Sequence, residues 1–109
     1  MDLDPQNALR LHFGLPLEDG TGFLAALPRH PDWREAARHV APGLRLLPYG
    51  MVGLQEALAL DAAVAREPDL LATPLATMLA EPGLLVIADL PPGPSHALAA
   101  LVPQATLVL

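Results

Sequence analysis

The sequence predicts an α/β fold: a partial doubly wound parallel sheet in one domain spanning residues 1–109. Three observations predict it. Leu84-Leu85-Val86-Ile87-Ala88-Asp89-Leu90-Pro91-Pro92-Gly93 opens with five apolar residues that show no period-two alternation, then gives a carboxylate and a turn. Such a run reads as a strand covered on both faces, as strands of a parallel sheet are. Upstream of it, short apolar segments alternate with stretches of helical period, the order expected of strands joined by crossover helices. The core side chains are small: 52% of the residues are hydrophobic but only 4% aromatic, which suits helices laid on a sheet.

The elements follow in order. Residues 3–4 are the end of a strand that Pro5 stops. Leu9 and Phe13, four apart, mark a short helix over 6–13, with Gly14 placed for a left-handed cap. Residues 16–22 form a turn tipped by Asp19-Gly20, and 23–27 a short apolar helix or turn ended by Pro28. Asp32 and Glu35 have the spacing of a capping box at the head of a helix over 33–40, which ends before Pro42-Gly43. Leu44, Leu46 and Leu47 make 44–48 the next strand, with Tyr49-Gly50 as its exit. Leu54, Ala57, Leu58, Ala62 and Val64 or Ala65 recur with helical period over 53–66, and that stripe is assigned to the core. Pro68 separates this helix from one over 69–80, which bends at Thr73-Pro74 or restarts there with Thr73 as its cap. After the strand at 84–89, Ser95 caps a helix over 96–101, and 105–109 is a last strand. Trp33 and Tyr49 are core or half-buried anchors.

Charge and composition exclude several functions. A net charge of −6 offers no electrostatic footprint for nucleic acid or an anionic membrane. With no cysteine there is neither a disulfide scaffold nor a thiolate zinc site. Residues 90–109 are uncharged, but Pro91, Pro92, Pro94 and Pro103 would break a membrane helix there, so no direct membrane insertion is expected. A cytoplasmic location is the expectation. The histidines His12, His30, His39 and His96 lack ligand spacing, and Ser95-His96 are sequence neighbours that point in different directions on a helix. Arg10 is expected on a solvated helix face.

Asp89 closes its strand at the carboxyl end, the edge where open α/β sheets bind ligands. The chain opens on a second acidic segment, Met1-Asp2-Leu3-Asp4-Pro5-Gln6-Asn7. An Asp-x-Asp-Pro-Gln segment with a distant apolar strand ending in Asp-x-Pro-Pro-Gly resembles the ParA/MinD family of nucleotide-switch ATPases. Residues 7–14, 32–36 and 46–50 are similar to its cellulose synthase operon branch, the BcsQ/YhjQ proteins.

That resemblance implies ATP with Mg2+ as ligand in the full-length protein, homodimerisation when nucleotide is bound, and cellulose synthase complex proteins as partners. By the same resemblance Asp4 matches the acid that helps position the attacking water, and Asp89 the Walker B acid that holds magnesium through its water shell. Asp2 matches the preceding family acid, a charge beside the metal. Pro91, Pro92 and Gly93 match the segment that senses the terminal phosphate. Asn7 could contact phosphate, a partner subunit or the N–H groups of its own helix; the family often has a glycine before this asparagine, whereas here Asn7 follows Gln6 directly.

A phosphate loop needs glycines and a lysine, and all six cationic Lys/Arg positions here are arginine. The chain is therefore expected to be a fragment lacking the N-terminal strand, phosphate loop and first helix, with unpaired edges where that strand would lie, and not to hydrolyse ATP alone. Two other readings are a non-catalytic interaction module and a chromosome or plasmid partitioning ATPase.

Overall fold

The computed structural model describes residues 1–16 and 18–109. Helix α1, Leu9–His12, is followed by a 3-10 helix, Leu24–Arg29, and by the one-turn helix α2, Trp33–Ala36. Strands β1, Arg38–Ala41, and β2, Leu44–Leu46, form a hairpin. Helices α3, Leu54–Arg66, α4, Asp69–Leu79, and α5, His96–Leu101, complete the fold, with a second 3-10 turn at Val102–Gln104. The content is mixed α/β, but the described residues do not build a doubly wound parallel sheet. They hold the antiparallel β1–β2 pair and one isolated parallel bridge between Asp2 and Asp89.

Locally encoded features stand where the sequence predicts them. The Ser95 hydroxyl accepts from Leu98 N–H and starts α5. Gly14 ends the first helical segment at φ +68°, a left-handed conformation that glycine adopts without a Cβ penalty. The Asp32 side chain caps α2 by accepting from Arg34 N–H at 2.9 Å.

Other elements differ. The helix expected over 33–40 lasts one turn, because the backbone of 38–41 pairs with β2 instead; Gly43, at φ +70°, turns the chain between them. The helix expected over 6–13 begins only at Leu9, since Asn7 takes φ +52° and breaks the helical path. Its apolar pair is not the buried one: Phe13 is exposed, whereas Arg10 is buried and donates to the Pro16 carbonyl. In α3 the buried residues are Leu60 and Val64, and Leu54 and Leu58 of the expected stripe face solvent. Helix α4 runs unbroken through Pro74, held on both sides of it by Leu70, Leu71, Leu75 and Met78 in the core. Residues 105–109 form no strand, and Leu107, Val108 and Leu109 are exposed.

The run 84–90 is extended but covered on one face only. Leu84, Val86, Ala88 and Leu90 pack against the core, while Leu85 and Ile87 are 82% and 72% exposed. The single core, centred on Phe23, Leu27, Leu71 and Met78, lies on one side of this segment. The alternation of exposure thus comes from what the two faces meet, which a uniformly apolar sequence does not encode.

Candidate functional site: an acidic strand-end edge

The first residues lie between two other extended segments. Asp2 N–H donates to the Leu47 carbonyl at 2.9 Å on one side. On the other, Asp89 N–H donates to the Met1 carbonyl at 2.9 Å, Leu3 N–H to the Asp89 carbonyl at 2.8 Å, and the Met1 amino group to the Ile87 carbonyl at 2.5 Å. This ladder makes Asp2 and Asp89 lateral neighbours, and bridged residues carry their side chains on the same face. Asp4 follows two residues on, where the chain leaves the ladder. Along 84–90 the Ile87 carbonyl and both backbone groups of Asp89 are spent on Met1–Leu3. The N–H and carbonyl groups of Val86, Ala88 and Leu90 face the opposite edge and find no backbone partner among the described residues.

The three aspartates differ sharply in environment. Asp2 is fully buried, and its carboxylate accepts from Asp4 N–H at 3.0 Å and from Leu9 N–H at 3.3 Å. Burial pushes its carboxyl above the usual carboxylate value; the two N–H donors oppose that rise, and the charges of Asp89 and Asp4 add to it. Asp4 is half-buried, and its Oδ1 accepts from Gln6 N–H at 2.9 Å, an Asx turn that starts the loop toward α1. Asp89 is exposed, and its carboxylate has no hydrogen-bond donor among the described residues. Asp2 is thus the brace of this edge, whereas Asp89 is the acid left open to solvent.

Asn7 also braces. Buried at φ +52°, it accepts from Gly50 N–H through Oδ1 at 3.3 Å and so ties the 4–9 loop to the segment after β2. Pro91 is half-buried, Pro92 and Gly93 are exposed, and Gly93 at φ +84° turns the chain toward the Ser95 cap. No hydrogen bond joins these three residues to Asp4 or Asp89 among the described residues.

Two supports of this edge are not evident from the sequence. Tyr49 is buried as expected, but it also senses the acids: burial raises its phenol above the ordinary value, and the charges of Asp61, Asp4 and Asp2 raise it further. Gly22 crosses the Tyr49-Gly50 segment so closely that a Cβ on it would lie 2.2 Å from Gly50 Cα. Around that crossing Phe23 N–H donates to the Pro48 carbonyl at 2.8 Å, Ala25 N–H to the Tyr49 carbonyl at 2.9 Å and Met51 N–H to the Gly20 carbonyl at 2.9 Å. Glycine at both 22 and 50 was the available signal.

Chemically, the edge concentrates negative charge that a hydrated cation would neutralise. Among the described residues no three His, Cys, Asp or Glu side chains converge to hold a metal directly. A triphosphate does not fit the described residues equally well: the chain has no lysine, and its buried Arg10 is turned to the Pro16 carbonyl. No helix among the described residues is long and apolar enough to cross a membrane.

Comparison with curated proteins and with solved structures returned no match. The family profile described as cellulose biosynthesis protein BcsQ matches residues 1–109, the same span that carries both acidic segments and the pairing between them. The chain belongs to the cellulose biosynthesis protein BcsQ family.

Proposed function

We propose that the chain is part of a ParA/MinD-type nucleotide-switch protein that serves bacterial cellulose production from the cytoplasm, with Mg-ATP as its ligand. The family match supports the cellulose role. The observation that carries the nucleotide reading is the parallel Asp2–Asp89 bridge, which sets two acidic segments separated by most of the chain side by side at one strand-end edge. In this reading the segment around Leu47, the Met1–Leu3 segment and the 84–90 run are adjacent strands of a doubly wound parallel sheet. Asp89 holds the water shell of magnesium, and Asp4 orients water beside it. Asp2 and Asn7 keep the loop between them in shape, and Pro91-Pro92-Gly93 fixes the path from Asp89 to α5. The phosphates would be held by residues outside this chain, so no step of phosphoryl transfer is assigned to it. Nucleotide would favour a homodimer, and the cellulose synthase complex would be the partner.

Calorimetry of Mg-ATP binding by the product of the whole reading frame tests this. Binding is expected, with Asp89→Asn weakening it by about tenfold and Asp4→Ala sparing binding but slowing turnover. A folded product that binds no Mg-ATP would refute it. That outcome favours a non-catalytic interaction module, a reading already supported by the structural use of the Asp2 carboxylate and by the absence of lysine.

A further inference from the structure

A groove of about 440 Å3 lies between the 27–34 segment and the first turns of α4, distinct from the aspartate edge. Phe23, Leu27, Trp33 and Leu70 form its floor, and the half-buried Pro31 and Pro74 form apolar walls. Its mouth carries Asp32, Glu67 and Asp69 against the cation Arg34, with the His30 ring beside them. Arg34 is already committed: it pairs with Glu81, lies 3.9 Å from Asp32 and stacks 4.5 Å from the centre of the Trp33 ring. Glu67 and Asp69 are exposed, and among the described residues neither is ion-paired. The groove therefore offers an apolar slot whose rim carries two unpaired carboxylates, Glu67 and Asp69.

We propose that this groove docks a basic, apolar polypeptide segment of a partner protein, which seats an aliphatic side chain between Pro31 and Pro74 and sets an arginine or lysine against Glu67 and Asp69. Charge complementarity selects the occupant. An acidic segment would meet two unpaired carboxylates, whereas a cationic one neutralises them. Nucleic acid and anionic lipid are repelled by the same rim and by the overall charge of −6. The groove is partly open rather than enclosed, which suits a chain laid across it rather than a molecule engulfed by it. This docking site stands independently of the nucleotide reading.

Trp33 is the only tryptophan and lines the groove, so its fluorescence reports occupancy directly. The probe is an end-capped hexapeptide of alternating leucine and arginine, titrated at low salt, with a control in which glutamate replaces arginine. The arginine peptide is expected to shift Trp33 emission saturably and the glutamate peptide to leave it unchanged. Reversing both exposed acids in Glu67→Lys/Asp69→Lys should weaken the arginine peptide by about tenfold, with an unchanged far-ultraviolet spectrum showing that the variant is folded. Equal effects of the two peptides, or an affinity insensitive to the reversal, would overturn the proposal. So would a simple diamine that shifts Trp33 emission as strongly as the peptide, because the groove would then be a small-amine site.

Discussion

Replacing Asp2 separates the two roles that an acid at this edge could have. Its carboxylate is fully buried and receives the N–H groups of Asp4 and Leu9. Asp2→Ala leaves both donors without a partner, while it also removes a carboxylate whose burial is costly. Hydrogen bonds to a charged acceptor contribute roughly 1.5–3 kcal/mol each, and the relieved burial offsets part of that. The net loss expected is about 2 kcal/mol, in the range of a lost helix cap. Asp2→Asn keeps one acceptor and removes the charge, so it should cost about half as much.

The pH dependence is the sharper test. Burial raises the folded-state value of Asp2 above the ordinary 3.8 of an aspartate. Between the unfolded value and that raised one, the folded chain binds more proton than the unfolded chain, so this group's contribution to stability falls as pH rises. The asparagine variant lacks that loss. The stability difference between wild type and Asp2→Asn should therefore be largest below pH ~4 and shrink toward neutrality. Urea unfolding followed by Trp33 fluorescence at several pH values measures it. A difference that is constant with pH, or that grows as pH rises, would refute the account of Asp2 as a desolvated brace.

Two further outcomes are expected. Leu71 is 0% exposed at the centre of the core, so Leu71→Ala should destabilise by about 2–5 kcal/mol in the same urea assay. Gly22→Ala would set its Cβ 2.2 Å from the Gly50 backbone, which must then move; a loss of about 1–3 kcal/mol and a changed Trp33 spectrum are expected, and a neutral result would refute the close crossing.

How much of the fold was legible depended on the range of the interaction that decides each element. Ser95 and Asp32 cap their helices through backbone N–H groups two or three residues away, and both caps are readable from a short window. The hairpin at 38–46 was not readable, because 38–40 continues the capped segment and only pairing with β2 pulls it out of the helix. In α3 the apolar residues surround much of the helix, so period alone chose Leu54 and Leu58 and left Val64 or Ala65 open, while neighbouring α5 and the first 3-10 helix select Leu60 and Val64.

The candidate site divides the same way. Asp89 at the end of an apolar run and Asp4 before a proline are sequence signals for a strand-end edge, and they led to the family that the chain belongs to. Nothing in the local sequence distinguishes Asp2 from Asp89, yet one is sealed under the 4–9 loop and the other is open to solvent. Arg10 likewise reads as a surface residue and is buried.

By itself the sequence determined the helix caps, the main helices, the acidic charge and the two aspartate segments. These follow from backbone stereochemistry and contacts within a turn or two. Only the tertiary structure decided that Asp2 and Asp89 are neighbours, that Asp2 is a brace, and that one face of 84–90 is bare. Those properties depend on which distant segment arrives at each edge and face, and a residue's own neighbours in sequence carry no record of that.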